Sequence, residues 1–146
     1  MNPQIESFIA VKRIAVVGFS RSGKKFGNAA GRELVARGYE IFPVHPDATE
    51  IDGITCYPSL KSLEDKAEAL LICIPPAGVP AVLEEAADAG IRKIWIQQGA
   101  WSQEVQTAAD RLGLKPVSKK CILMYAPPVT SIHKFHRALK SIFGGL

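Results

Sequence analysis

Residues 18–25, GFSRSGKK, bring glycines, hydroxyls and cations together in one short stretch. These residue types bind phosphate, because glycine lets backbone amides approach the ligand and Arg or Lys neutralises its charge. Gly18, Gly23 and Lys24 match the phosphate-loop pattern G-x-x-x-x-G-K-[ST], but Lys25 stands where that pattern has Ser or Thr. The stretch therefore predicts a phosphate site, and the rest of the sequence must decide its chemistry.

Hydrolysis of a nucleoside triphosphate is disfavoured at two positions. The Ser or Thr of a phosphate loop holds magnesium, and the ammonium of Lys25 cannot. A carboxylate should also end a neighbouring strand, but the apolar runs ALLICIPP and KIWIQQG end without Asp or Glu. A magnesium-dependent triphosphatase is therefore not expected.

A nicotinamide dinucleotide site is also incompletely supported. The fingerprint G-x-G-x-x-G needs a second glycine where the chain has Ser20. An acid should end the second strand to hold the ribose diol, but the segment PVHP puts His45 there, and Asp47 lies beyond a proline. An NAD(P)-binding, oxidoreductase-like protein remains the alternative interpretation.

A metal-free phosphate turn fits the stretch better. A helix that starts near residues 27–28 would point its positive end into the turn. This arrangement suits a diphosphate, and the extra cations suit a ligand with more phosphate than NAD; a merely solvated basic turn is the bland alternative. The candidate phosphate-binding residues are Gly18, Ser20, Arg21, Ser22, Lys24 and Lys25.

Strand and helix patterns alternate along the chain. The runs RIAVVGF, YEIFPV, EALLICIP, RKIWIQQG and LKPVS predict strands, and GNAAGRELVARG, AGVPAVLEEAADAG and SQEVQTAADRLG predict helices. This order predicts an α/β fold: a Rossmann-like, doubly wound, mainly parallel five-stranded sheet with helices on both faces. In such sheets the ligand lies beyond the carboxyl ends of the strands, at the point where the strand order reverses.

Two further segments complete the pattern. HPDATEIDGITCYPSL predicts turns, an extended piece at residues 54–57 and the start of a short helix at residues 58–59. TSIHKFHRALKSIF predicts a terminal helix with one apolar face. We therefore expect a single domain over residues 1–146, with a core at about residues 10–125 and a helical extension at residues 127–146.

Composition limits the class of protein. The 146 residues, 47% of them hydrophobic, can form one domain with a core. No signal peptide is recognised, and prolines interrupt the longest apolar run, so no membrane association is expected. Three widely spaced cysteines form no disulfide framework, which favours the cytoplasm. The net charge of +4 is concentrated in an early and a late basic region, which suggests an anionic ligand or partner.

Several segments together resemble the small stand-alone coenzyme A-binding proteins. These share their fold with the CoA-binding domain of the succinyl-CoA synthetase α-subunit and of acyl-CoA synthetases. The similar segments, over roughly residues 10–125, are IAVVGFSRSGKKFGNAAGRELVARGYEIFPVHP, ITCYPSL, LLICIPPAGVPAVLEEAADAGIRKIWIQQG and KKC at residues 119–121. His45 departs from the Asn usual in this family.

The resemblance implies a binding site for coenzyme A or an acyl-CoA across the strand ends. The glycine, serine and cations of the turn would hold its phosphates. The other implied contacts are Val44, His45 and Pro46 around the adenosine and its 3′-phosphate, Ile74, Pro75, Pro76 and Val79 as an apolar wall, and Tyr57 and Gln97 near the rim. His45 would either donate to a phosphate or cap a turn, and both options stay open.

No catalytic arrangement is identified, so we expect a non-catalytic protein that senses, carries or delivers CoA with the help of a partner. His133 and His136 have metal-like spacing without a third ligand, and Cys121 beside two lysines is either an inert or a reactive thiol. A further alternative is an interaction module that uses the basic C-terminal helix to bind an acidic partner. A nucleic acid is not expected.

Overall fold

The computed structural model describes residues 2–128, and strands alternate with helices through most of this range. This alternation is the one predicted from the sequence, apart from two short elements, a first helix and a hairpin. The strands are β1 (Arg13–Val17), β2 (Glu40–Val44), β3 (Glu50–Ile51), β4 (Ile54–Thr55), β5 (Ala69–Ile72), β6 (Ile94–Gln97) and β7 (Val117–Lys120). The helices are α1 (Pro3–Ile9), α2 (Phe26–Ala36), α3 (Val79–Asp88) and α4 (Gln103–Arg111).

Five of the strands form one sheet in the order β2-β1-β5-β6-β7. All of its pairings are parallel, so the predicted five-stranded sheet is confirmed. The chain leaves β1 for the edge strand β2 and then returns to β5 on the other side of β1. The strand order therefore reverses between β1 and β5, where Gly18 and Cys73 directly follow the two strand ends.

Helices cover both faces of this sheet because successive side chains of a strand point to opposite faces. Val16, Leu71 and Trp95 belong to the core that includes residues of α1 and α2. Leu70 and Ile96 belong to the core that includes residues of α3 and α4. All five side chains are fully buried, so the sheet is packed on both sides, as a parallel sheet requires.

The helix α1 was not predicted from the sequence. It has only seven residues, too few for a periodic pattern to stand out. The side chain of Asn2 caps it by accepting a hydrogen bond from the amide of Gln4 at 2.7 Å, and Pro3 occupies its first turn. Ile5 and Phe8 anchor it in the core, so tertiary packing stabilises a helix that local propensity leaves marginal.

The hairpin of β3 and β4 is the second element missed. Its two-residue loop is Asp52-Gly53, with φ angles of 53° and 76°. Positive φ at both positions is the geometry that an Asp-Gly hairpin loop favours, so IDGIT carried the signal. The predicted extended piece is confirmed only in part: β4 covers Ile54–Thr55, and Tyr57 forms a separate parallel bridge to Val44.

Two boundaries also differ from the prediction. The short helical turn begins at Lys61 rather than at residues 58–59. The last strand lies at Val117–Lys120 instead of residues 114–118, because the amide of Leu114 still bonds to the carbonyl of Ala109 at the end of α4. Within residues 2–128 no helix is both long and apolar enough to span a membrane. The predicted terminal helix, with His133 and His136, lies outside the described residues.

Candidate functional site

The turn after β1 is closely packed at its first residue. Gly18 has a φ of 132°, which L side chains rarely adopt, and a Cβ there would meet the backbone of Cys73 at the end of β5. Gly27 in the first turn of α2 lies equally close, since a Cβ there would overlap the carbonyl of Gly18. Glycine at both positions brings the turn, the strand end and the helix start together at the reversal point of the sheet.

The hydroxyls of the turn organise its backbone. Ser20 Oγ and Ser22 Oγ lie 2.6 Å apart, and Ser20 Oγ accepts a hydrogen bond from the amide of Ser22 at 3.1 Å. Ser22 Oγ accepts from the amide of Lys24 at 3.2 Å. The amide of Gly23 bonds to the carbonyl of Ser20 at 3.1 Å, which closes a tight turn. The two serines therefore shape the loop.

Three cations surround this turn. Arg21, Lys24 and Lys25 are exposed, and none of them forms an ion pair with another described residue. Lys25 is the N-cap of α2 and provides no side-chain acceptor for the first-turn amides. The three exposed cations thus lie in the stretch of chain that leads into the positive end of α2, which is electrostatically suited to an anion.

Three residues that the sequence analysis missed hold the turn in place. Asn28 is fully buried; its Oδ1 accepts from the amide of Ser20 at 2.9 Å, and its Nδ2 donates to the carbonyl of Ser20 at 3.0 Å. Arg32 donates to the carbonyl of Gly23 at 3.1 Å. Both side chains also donate to Asp52 at the hairpin loop. A polar residue at a core position of α2 was the available signal for Asn28.

The predicted adenosine side lies next to the turn, at the end of β2. The amide of His45 donates to the carbonyl of Tyr57 at 2.9 Å, which holds Val44 and Tyr57 side by side. His45 Nδ1 accepts from the amides of Asp47 at 3.1 Å and Ala48 at 3.0 Å. His45 therefore caps a turn, which is one of the two roles expected from the sequence. Because Nδ1 is the acceptor, the ring hydrogen lies on Nε2, which can still donate.

The loop after β5 contains the four residues that the sequence analysis expected to form an apolar wall, and their exposure differs. Ile74 and Pro76 are half-buried and Pro75 is exposed, so these three present apolar surface beyond the strand end. Val79 has no exposed surface, because as the first residue of α3 it packs in the core. Val79 therefore belongs to the core and has no exposed surface with which to contact a ligand.

Gln97 is buried and Cys73 is half-buried. Gln97 is buried at the end of β6, and its Oε1 accepts from the amide of Ile122 at 3.0 Å, which anchors the chain after β7. It does not lie on the exposed rim. Burial, and to a smaller extent the neighbouring Cys121, raise the pKa of the Cys73 thiol to about 12, so Cys73 stays protonated near neutral pH.

The remaining candidate chemistry among residues 2–128 concerns metal ligands and thiols. This part of the chain contains no group of three or more His, Cys, Asp or Glu side chains arranged to hold a metal. Its three cysteines, Cys56, Cys73 and Cys121, are all free thiols. Lys119, beside Cys121, has its ammonium 3.9 Å from the centroid of the Trp101 ring, a cation–π contact.

Curated relatives match most of the chain. The ADP-forming acetate–CoA ligase II of Archaeoglobus fulgidus is 31% identical over 134 residues, which cover 89% of this chain but 20% of the ligase. The uncharacterized protein YneT of Bacillus subtilis is 29% identical over 111 residues, 76% of this chain and 82% of that protein. The chain thus spans about a fifth of the length of the matched ligase and most of the length of the small relative.

Solved structures and a family model agree with the fold. A hypothetical protein from Pyrococcus horikoshii superposes with a TM-score of 0.74 at 30% identity, covering 83% of this chain and 86% of that one. A conserved hypothetical protein from Pyrococcus furiosus gives 0.73 at 33% identity, covering 78% and 98%. The model of the CoA binding domain matches residues 12–127. The chain therefore belongs to the CoA-binding domain family.

Proposed function

We propose that this chain binds coenzyme A or an acyl-CoA, with the diphosphate in the turn at residues 18–25. The observation that carries this proposal is a set of three exposed cations at a tight glycine turn, Arg21, Lys24 and Lys25, which form no ion pair with any residue between 2 and 128. The carboxylate of Asp52, which packs against Gly23 of this turn, is already paired with Arg32 at 3.1 Å. The turn therefore offers a net positive surface to phosphate without a metal ion.

The end of β2 favours a ligand with a phosphate on its ribose. A ribose diol is usually held by an acid at this position, but a carboxylate would repel a 3′-phosphate. Here His45 occupies the position, with Nε2–H available as a donor, next to the exposed Pro46 and the half-buried Tyr57. This side suits the adenosine 3′-phosphate of CoA better than the diol of NAD.

The pantetheine arm would run across the reversal point of the sheet. Ile74, Pro75 and Pro76 provide apolar surface at the end of β5, directly beside the turn. We place neither Val79 nor Gln97 in contact with the ligand, because both are buried. The ligand contacts that we propose are Gly18, Ser20, Arg21, Ser22, Lys24, Lys25, Val44, His45, Pro46, Tyr57, Ile74, Pro75 and Pro76.

We propose further that the chain holds, senses or delivers CoA and that a protein partner supplies any chemistry. The matched ligase is about five times as long as the aligned region, which leaves ample room for its catalytic parts elsewhere. The free thiols among residues 2–128 suit the reducing cytoplasm, where we place the protein. The NAD(P)-binding alternative has no acid at the end of β2 to support it.

A pair of charge-matched variants tests the site. Lys24→Ala/Lys25→Ala should weaken CoA binding at least tenfold, since each hydrogen bond to a charged group contributes about 1.5–3 kcal/mol. Lys93→Ala/Lys115→Ala is the control. It removes the same charge from exposed residues at the amino ends of β6 and β7, whereas the turn follows the carboxyl end of β1. Isothermal titration with CoA measures both. Equal affinities of the two variants would remove the turn from the binding site.

A further inference from the structure

The carboxylate of Asp52 connects the hairpin to the phosphate turn. Its Oδ2 accepts from Asn28 Nδ2 at 3.2 Å and from Arg32 Nη1 at 3.1 Å. Asn28 in turn holds the amide and the carbonyl of Ser20, and Arg32 holds the carbonyl of Gly23. We name Asn28, Arg32 and Asp52 the hairpin brace.

The brace fixes both ends of the tight turn. Ser20 and Gly23 are the first and last residues of that turn. The carbonyl of Ser20 accepts a hydrogen bond from Asn28, and the carbonyl of Gly23 accepts one from Arg32. Gly23 has a φ of 74°, and a Cβ there would lie 3.3 Å from Asp52 Oδ1, so the hairpin loop also packs against the turn. The backbone of the tight turn is thus ordered by Asp52, a residue 24 positions after Asn28.

Two effects of Asp52 on an anionic ligand have opposite signs. As a nearby negative charge, its carboxylate repels phosphate, so its removal should strengthen binding. As a member of the brace, it holds the turn in one conformation before the ligand arrives, so its removal should weaken binding. The side chain of Asp52 is 25% exposed and already paired, so its field at the ligand is partly neutralised by Arg32.

We propose that Asp52 is a positioning residue, which increases affinity for the phosphates of the ligand by ordering the turn despite its like charge. This inference rests on the proposed function, because the ligand that it concerns is CoA. The same excursion of the chain, residues 45–57, carries His45 and Tyr57 at its two ends. The hairpin therefore links the adenosine side of the site to its diphosphate side.

Two substitutions separate the effects without disturbing the loop. Asp52→Asn removes the charge but keeps an acceptor, and Asp52→Gly removes the side chain; both residue types tolerate positive φ in a hairpin loop. We expect CoA affinity to fall roughly threefold for Asp52→Asn and roughly tenfold for Asp52→Gly. Repulsion alone would instead raise affinity equally in both variants. Glu84→Gln is the control, since it removes one carboxylate from the exposed Glu84–Arg111 pair between α3 and α4.

Hydrogen exchange in the ligand-free protein provides a second readout. The amides of residues 20–24 should exchange faster in Asp52→Gly than in the wild type, while those of the β5 core should not change. Affinity that is unchanged or higher in Asp52→Gly, or unchanged exchange in the turn, would overturn the positioning role. If the wild type itself fails to bind CoA, the proposed function fails, and the exchange measurement alone then decides whether the brace orders the turn.

Discussion

Gly27→Ala tests whether the helix start and the phosphate turn form one packed unit. Alanine is favoured over glycine inside a helix by about 1 kcal/mol, so local propensity predicts a more stable protein. The structure predicts the opposite, because a Cβ at Gly27 would overlap the carbonyl group of Gly18 and lie 3.2 Å from its Cα. The atoms that it meets are backbone atoms, which cannot rotate away as a flexible side chain can.

The expected magnitude follows from these two opposing terms. Forcing an extra carbon into a packed site costs about 1–3 kcal/mol, and the helix term returns about 1 kcal/mol at most. We therefore expect Gly27→Ala to lower the free energy of unfolding by about 1 kcal/mol. It should also weaken CoA binding, because the turn must move away from the start of α2 to relieve the overlap.

Urea unfolding and CoA titration measure the two effects. Ala29→Gly is the matched control; Ala29 is an exposed residue of the same helix, so this change should cost about 1 kcal/mol through propensity and leave CoA affinity unchanged. A Gly27→Ala protein that is more stable than the wild type and binds CoA equally well would refute the close packing of turn and helix.

Two further predictions concern the ionisation of Tyr39 and Cys73, whose pKa values are raised by burial. Burial raises the pKa of Tyr39 to about 12 from 10.0, with Arg37 opposing the shift, and its hydroxyl donates to the carbonyl of Ile9 at 2.6 Å. The protonated phenol thus stabilises the fold below pH 10, and this contribution is lost as the pH rises from 10 to 12. The free energy of unfolding should therefore fall less steeply between pH 10 and 12 in Tyr39→Phe than in the wild type. An equal fall in both proteins would contradict this role of Tyr39. Burial likewise keeps the Cys73 thiol protonated. Iodoacetamide at pH 8 should therefore modify Cys121 well before Cys73 in a mass-spectrometric time course. Equal rates would show that Cys73 is accessible as a thiolate.

Local patterns were sufficient to predict the sheet. The strand run at Ile94–Gln97 and the glycine stops after α2, α3 and α4 depend only on neighbouring residues, so the order of elements follows from the sequence. The hairpin at Asp52-Gly53 also had a local signal, which the turn-rich segment around it obscured. The helix α1 had none, because its stability comes from the burial of Ile5 and Phe8.

The sequence leads to a candidate phosphate site because the residues that suggest it lie within one turn. The glycines, hydroxyls and cations of residues 18–25 predict phosphate binding from residue types and spacing alone. The brace was not predictable, since Asn28 and Asp52 meet only when the hairpin folds back onto α2. The burial of Gln97 depends in the same way on the amide of Ile122, which comes from a distant part of the chain. Contacts between distant segments need the fold before they can be recognised.

A thermal-shift comparison of CoA with NAD tests the central proposal most directly. A ligand that binds only the folded state stabilises it by about 2.7 kcal/mol at a concentration 100 times its Kd. With three exposed cations at the turn and His45 in place of a ribose-binding acid, CoA should raise the melting temperature, and NAD at the same concentration should not. A shift with NAD and none with CoA would contradict the account.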